Sequence, residues 1–154
     1  RLLQSIMKSF PSFSPAPFKV SFREVTDRPF RIGDTRIVPK PVVHVPDLSS
    51  VGYRIEYRGK ALVYSGDTQY CDEVIGLCKE ADLAVLDCSF PANRPGAAHQ
   101  HAGQCGQVAK EAGVGQLVLS HFYPIADRYD VKAQAAEQYR GKIWKGKDLL
   151  TIRV

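Results

Sequence analysis

The sequence predicts an α/β domain in which a β-meander gives way to alternating strands and helices. Three observations predict it. Residues 18–25 (Phe-Lys-Val-Ser-Phe-Arg-Glu-Val) alternate apolar and polar side chains, the period of a half-buried strand. Further strand-like runs follow at short intervals, joined by turns rich in Gly or Pro. From Tyr70 onward the apolar period lengthens from two to that of a helix, and helical and strand-like stretches then alternate.

The elements can be justified in order. Residues 1–17, with Pro11, Pro15 and Pro17 among Ser and Phe, read as a linker or the remnant of an upstream segment, and the domain proper as 18–154. After the strand at 18–25, strands are expected over 30–38, 40–45, 51–58 and 60–66. Within the first of these, Gly33-Asp34-Thr35 lies between Phe30-Arg31-Ile32 and Arg36-Ile37-Val38, where a hairpin turn explains it. Beyond Tyr70, Val74, Leu77, Cys78 and Ala81 share one helical face, and a strand follows at Leu83–Leu86. A second helix runs from about His99 to Ala112, its apolar face drawn from Ala102, Cys105, Val108, Ala109 and Ala112, with Gly113 placed to cap its end. Gln116–Ser120 is a strand, Val131–Tyr139 is helix-like, and strands are expected at Lys142–Trp144 and Leu149–Val154.

Composition limits what the chain can be. Its 154 residues, 44% of them hydrophobic, suffice for one core of ordinary size. No run approaches the ~18 apolar residues of a membrane span, and Arg1 to Met7 is too short and mixed for a secretory signal. The start reads as an internal cut or a processed end, and the protein as cytoplasmic. Cys71, Cys78, Cys88 and Cys105 match neither a Cys-x-x-Cys metal site nor a secreted disulfide scaffold, so buried reduced thiols are expected. The net charge of +5 would favour an anionic substrate, although scattered Lys and Arg also suit a solvated basic surface. No aromatic-rich basic stretch of the kinds found in RNA-binding modules is present.

Three residues stand at the ends of apolar runs: His44 after Val42-Val43, Asp67 after Ala61-Leu62-Val63-Tyr64-Ser65-Gly66, and His121 after Leu117-Val118-Leu119-Ser120. Strand ends are where a fold gathers distant side chains, and neutral imidazole with carboxylate suits Zn²⁺ or another divalent transition metal. Each also has an ordinary reading. A histidine after a β-branched run can be a hydrogen-bonded core or surface residue, and Gly-Asp-Thr recurs in this chain at positions 33–35 as a plain turn. Asp67 differs in preceding a helical pattern, which puts it at a strand-to-helix junction.

In combination the segments resemble a known family. Val43-His44, then Ser50-Val51-Gly52-Tyr53-Arg54-Ile55-Glu56, then Tyr64-Ser65-Gly66-Asp67-Thr68 resemble the second half of a metallo-β-lactamase-fold hydrolase of the ribonuclease Z-like branch. Ala81 to Cys88 resembles its next strand, His99-Gln100-His101-Ala102 its His-x-Thr-Ala helix start, and Leu117 to Phe122 its final ligand strand. The resemblance implies the C-terminal αβ half of an αββα sandwich, two layers of the four.

It also implies site residues. His44 would bind a first metal, His121 a second, and Asp67 would bridge the two, a position that demands a carboxylate because one imidazole nitrogen cannot bond two cations. His99 would be the catalytic residue that gives a hydrogen bond or proton to the reacting phosphate, with helical N–H groups beside it favouring an anion. His101 stands where the family usually has Thr or Ser, so the resemblance assigns it no role, and an exposed helix residue is the plain alternative. The cofactor implied is two divalent metals, Zn or else Mn or Fe, whose bridged hydroxide attacks an anionic ester such as a phosphodiester.

The family's His-x-His-x-Asp-His cluster is absent, and the histidines are only His44, His99, His101 and His121. With Asp67 shared, each metal would keep two protein ligands. The other ligands are therefore expected from an N-terminal half of the same fold, upstream or on another chain, with a homodimer as a further arrangement. The alternative is a metal-free structural or interaction fragment.

Overall fold

A computed structural model describes Ser5, residues 8–10 and residues 24–154. One seven-stranded sheet runs in simple sequence order: β1 (Phe30–Ile32), β2 (Thr35–Val42), β3 (Ser50–Tyr57), β4 (Lys60–Tyr64), β5 (Leu83–Asp87), β6 (Gln116–Ser120) and β7 (Lys142–Lys145). The first four strands pair antiparallel and the last four parallel. Two-residue turns join β1 to β2 and β3 to β4 and the loop 43–49 joins β2 to β3, whereas each parallel step needs a crossover, here supplied by helices α1 (Asp72–Cys78), α2 (Ala102–Glu111) and α3 (Val131–Ala136).

Helices α1 to α3 contribute to one core on one face of the sheet. Val63, Ala84, Leu86, Leu117, Leu119 and Ile143, one parity of β4 to β7, pack with Val74 and Leu77 of α1, Val108 of α2 and Val131 of α3. The helical face read from the sequence after Tyr70 is the buried one, since Val74, Leu77, Cys78 and Ala81 are all buried. Three of the four cysteines are buried too and all are free thiols. Burial pushes the Cys78 thiol up to about 12. It raises Cys105 as well, with Cys88 adding to the effect, so both stay protonated and unreactive.

Several expectations hold and others need correction. Gly33 turns the β1–β2 hairpin with φ +56°, and Gly113, φ +66°, follows the C-cap of α2. The strand expected at 18–25 lies outside the described residues except for Glu24 and Val25, which are not in a strand. Most of the 1–17 segment also lies outside them. The runs at 30–38 and 40–45 regroup into β1 and a β2 that passes through Pro39 and Pro41 and ends at Val42. β1 pairs β2 only as far as Ile37, so both prolines lie where β2 has no described neighbour on that side, the setting in which a missing N–H is tolerated.

The helix expected from His99 begins at Ala102, and the strand expected at Leu149–Val154 is absent. In place of that strand the chain turns at Lys147 to Leu150, with the Leu150 N–H donating to the Lys147 carbonyl (3.2 Å) and Leu149 in the left-handed region at φ 62°. The segment then lies against Leu83, Val85 and Val118 on the sheet face away from the helices, around a cavity of about 520 Å³. That face is the second layer boundary of an αβ half-sandwich.

Candidate metal centre

Four loops converge at one end of the sheet. Two antiparallel steps return β2 to the direction of β4, so the residues after β2, β4, β5 and β6 all emerge on the same side. In open α/β sheets this carboxyl end of the strands is where ligands are bound. His44 stands two residues beyond β2, Asp67 three beyond β4, Asp87 closes β5 and His121 follows β6. His99 lies in the loop that leads into α2.

The three sequence-selected imidazoles come together. The ring centroids of His44 and His99 are 4.8 Å apart, and those of His99 and His121 are 5.1 Å apart. Asp67 joins them through His121, whose Nε2 faces Asp67 Oδ1 at 3.3 Å. Two of the loop residues are held in the left-handed region, Ala98 at φ 67° and His121 at φ 60°. Such strain costs of order 1–3 kcal/mol per residue and persists only where surrounding contacts enforce it. At Ala98 the result is a carbonyl aimed at His44 Nδ1, 2.7 Å away.

Each of the three histidines has its Nδ1 engaged. A carbonyl only accepts, so His44 Nδ1 carries the proton given to Ala98 and its Nε2 keeps a lone pair. His99 Nδ1 donates to Asp87 Oδ2 at 2.6 Å. Ser89 Oγ gives its own proton to Asp87 Oδ1 (2.7 Å) and therefore accepts from His121 Nδ1 (2.8 Å). His121 Nε2 then faces the Asp67 carboxylate oxygen at 3.3 Å, two potential ligand atoms between which a cation could be shared. Histidines held at Nδ1 with Nε2 turned to the site are the usual form of metal-bound imidazole, although at His99 that Nε2 also meets the Tyr123 hydroxyl. The residues present therefore fit a divalent metal by the chemistry of their donors.

Asp87 was not selected from the sequence. It is buried, and it accepts from Thr68 N (3.0 Å), Ser89 N (3.2 Å), Ser89 Oγ and His99 Nδ1. Its ligand atom lies with those of His99 and His121 within 4.8 Å, close enough for a metal. Four donors already occupy its two oxygens, which suits orienting His99 better than binding a cation. The signal that marked the others, a polar residue at the end of an apolar strand, marks Asp87 as well. Ser89 and Tyr123, whose hydroxyl lies 3.2 Å from His99 Nε2, had no such signal.

His101 has a definite structural task and is half-buried, which corrects its reading as an exposed helix residue. It is the N-cap of α2: its Nδ1 accepts from Gln104 N (3.3 Å), and the Gln104 side chain accepts from His101 N (3.2 Å). This is a capping box, built with an imidazole where Ser or Thr usually serves. His99 consequently precedes the helix and does not begin it.

Comparison with known proteins agrees with this geometry. Residues 2–122 match the family described as "Beta-lactamase superfamily domain". An uncharacterised protein of Mycobacterium leprae is 34% identical over 122 residues, 77% of this chain and 42% of that protein. Ribonuclease Z of Methanothermobacter thermautotrophicus is 32% identical over 130 residues, 82% of this chain and 39% of the relative. The crystal structure of the metallo-β-lactamase-fold protein YhfI from Bacillus subtilis superposes with a TM-score of 0.77 at 26% identity, covering 92% of this chain and 58% of that one. The chain thus spans about two fifths of the length of these two sequence relatives. With a half-sandwich sheet, strand-end imidazoles and carboxylates, and this match across most of its length, the chain belongs to the β-lactamase superfamily of metallo-hydrolase-fold proteins.

Proposed function

We propose that this chain carries the C-terminal part of the active centre of a metal-dependent hydrolase acting on an anionic ester, with a phosphodiester as the first substrate class to test. His44, Asp67 and His121 are the residues that would hold divalent metal, Zn, Mn or Fe, with Asp67 shared between two ions. The observation that carries this reading is the pairing of His121 Nε2 with Asp67 Oδ1 at 3.3 Å while its Nδ1 is tied to Ser89. Bound metal would supply activated water and a sink for developing negative charge. Relatives bearing the name Ribonuclease Z support the choice of phosphodiester.

The chain's own residues would do the rest. Asp87 holds His99 by Nδ1 and leaves Nε2 turned toward Tyr123 and the site. As an imidazolium paired with Asp87, His99 would carry a second proton on Nε2 and could give it, or a hydrogen bond, to the reacting phosphate. The Ala98 carbonyl and Ser89 hydroxyl fix the rings of His44 and His121, so little rotamer freedom remains to be lost on metal binding.

The two protein ligands that this chain offers each metal fall short of the three or four of tight zinc sites. The remainder would come from the other half of the fold, as an upstream segment, a separate chain or a second copy. The same shortage favours a second reading, a metal-free structural or interaction fragment.

Zinc titration by calorimetry, on the wild type and Asp67→Ala, separates the two. Saturable binding that weakens at least tenfold in Asp67→Ala supports the metal centre. Equal uptake by both proteins, or none by either, sinks it for this chain.

A further inference from the structure

A cationic recess lies at the opposite end of the sheet, beside the β1–β2 and β3–β4 turns and independent of the proposed metal centre. It has a volume of about 360 Å³ and is lined by Arg31, Arg36, Arg54 and Arg58 against the carboxyl groups of Asp34 and Glu56. Glu56 is shared: Arg36 Nη1 reaches Oε2 at 2.6 Å and Arg54 Nε reaches Oε1 at 2.8 Å. Arg54 is further pinned by donating to the Leu77 (3.2 Å) and Lys79 (2.7 Å) carbonyls at the end of α1. Arg31 reaches only the backbone oxygen of Asp34 (3.0 Å). Among the described residues neither Arg31 nor Arg58 is paired with a carboxylate. Four guanidinium groups against two carboxylates leave the recess cationic.

The backbone at Arg58 is the second observation. Arg58 (φ 48°) and Gly59 (φ 76°) form the two-residue turn between the paired Tyr57 and Lys60. Both positions are left-handed, the form that favours Asn-Gly or Gly-Gly and disfavours a side chain such as arginine. The turn does not require arginine, and backbone strain of this kind directs attention to the side chain that bears it. That side chain lines the recess, with its guanidinium carbon 5.1 Å from the Tyr57 ring centroid, a stacking that pre-orients it.

We propose that this recess binds a phosphoryl anion of a small ligand, such as a diphosphate group, through Arg31 and Arg58, with Arg36 and Arg54 as a fixed cationic wall. Guanidinium forks converging from separate turns match the several oxygens of a phosphoryl group better than a single carboxylate. A nucleic-acid backbone would call for a cationic stripe, whereas these groups surround one concavity.

The test is a titration of the full chain with inorganic pyrophosphate, followed by backbone amide NMR. Saturable shifts at Arg31, Arg36, Arg58 and Gly59 are expected. Arg58→Gly should weaken binding at least tenfold while leaving the melting temperature unchanged or higher, because glycine suits the turn. Arg31→Ala should weaken binding without disturbing the Glu56 pairs. Wild-type affinity in Arg58→Gly, shifts confined to the His44, Asp67 and His121 end, or no saturable binding would overturn the proposal. Tighter binding of an oligoribonucleotide than of pyrophosphate at the same amides would also overturn it, assigning the recess to a nucleic-acid strand.

Discussion

Asp87 joins the strand core to the candidate site through one carboxylate that four donors satisfy. Replacing it with Asn keeps the volume but removes the charge and turns an amide toward N–H groups that need acceptors. Asp87→Asn should lose about 2–3 kcal/mol of stability by urea denaturation, because buried donors left unpaired pay their full desolvation cost. His101 makes a different claim, since its task is to cap α2. His101→Ala should cost about 1 kcal/mol, whereas His101→Asn should stay within a few tenths of the wild type. A loss that Asn fails to restore would mean the imidazole does more than cap. The sequence showed His44, Asp67 and His121 because His and Asp at strand ends are chemically conspicuous, and His99 only through the family resemblance. It hid Ser89 and Tyr123, since a hydroxyl at an aromatic or polar position has many uses. Nor could it show that Ala98 is left-handed, because that conformation is enforced by contacts 54 residues apart in the chain, between His44 and Ala98.

Helix α2 sits against α3 through Gly106, where an added Cβ would collide with the backbone carbonyl of Ala135. Gly106→Ala should therefore destabilise by about 1–3 kcal/mol despite the better helix propensity of alanine, since a backbone cannot turn aside as a flexible side chain can. A neutral or stabilising result in thermal denaturation would show that the two helices have room to separate. On the meander, the guanidinium groups of Arg54 and then Arg36 hold the Glu56 carboxyl below its ordinary value of 4.5. A depressed carboxyl contributes stability that is present above pH 4.5 and is lost as pH falls through the lower folded value. Glu56→Gln should flatten that acid limb, by no more than about 1 kcal/mol because the pair is part-exposed to solvent. An acid limb as steep in the variant as in the wild type would place the titration elsewhere. Strands and helices were legible wherever one face is buried, as in Gln116–Ser120, whose observed bounds are those expected. The closing segment was not: Leu149-Leu150-Thr151-Ile152 carries a strand-like composition, but the left-handed Leu149 turns it across the sheet face. Composition reports apolar burial and is silent on whether the burial is beside a sheet edge or over its face.

At the scale of the molecule, among the described residues, helices α1 to α3 cover one side of the sheet and no helix of the sheet's crossovers covers the other. The other face carries Ile37, Tyr53, Ile55, Leu62, Tyr64, Val85, Val118 and Trp144, one parity of β2 to β7 read from the strand registers. Tyr64 is 48% exposed, whereas Val118 beneath the closing segment is 6% exposed. Antiparallel sheets can leave one face to water, but parallel ones are almost always covered on both. Here the parallel strands β4 to β6 have their second face lined with aliphatic and aromatic groups, so a covering layer is the arrangement that minimises exposed apolar area. A chain that spans about two fifths of its sequence relatives' length, and 58% of its structural neighbour, has such a layer available in the rest of that fold. Sedimentation velocity on the isolated chain tests what the face does without it. Association should rise with concentration over the micromolar range, and Tyr64→Lys, placing a charge at the exposed centre of the face, should suppress it while thermal stability changes by less than about 0.5 kcal/mol. Adding the N-terminal half of a relative should compete with self-association in the wild type and fail to bind Tyr64→Lys. A wild-type chain that stays monomeric and ignores the added half would mean that this face is covered from within the chain, and that the metal ligands absent from it must be sought elsewhere.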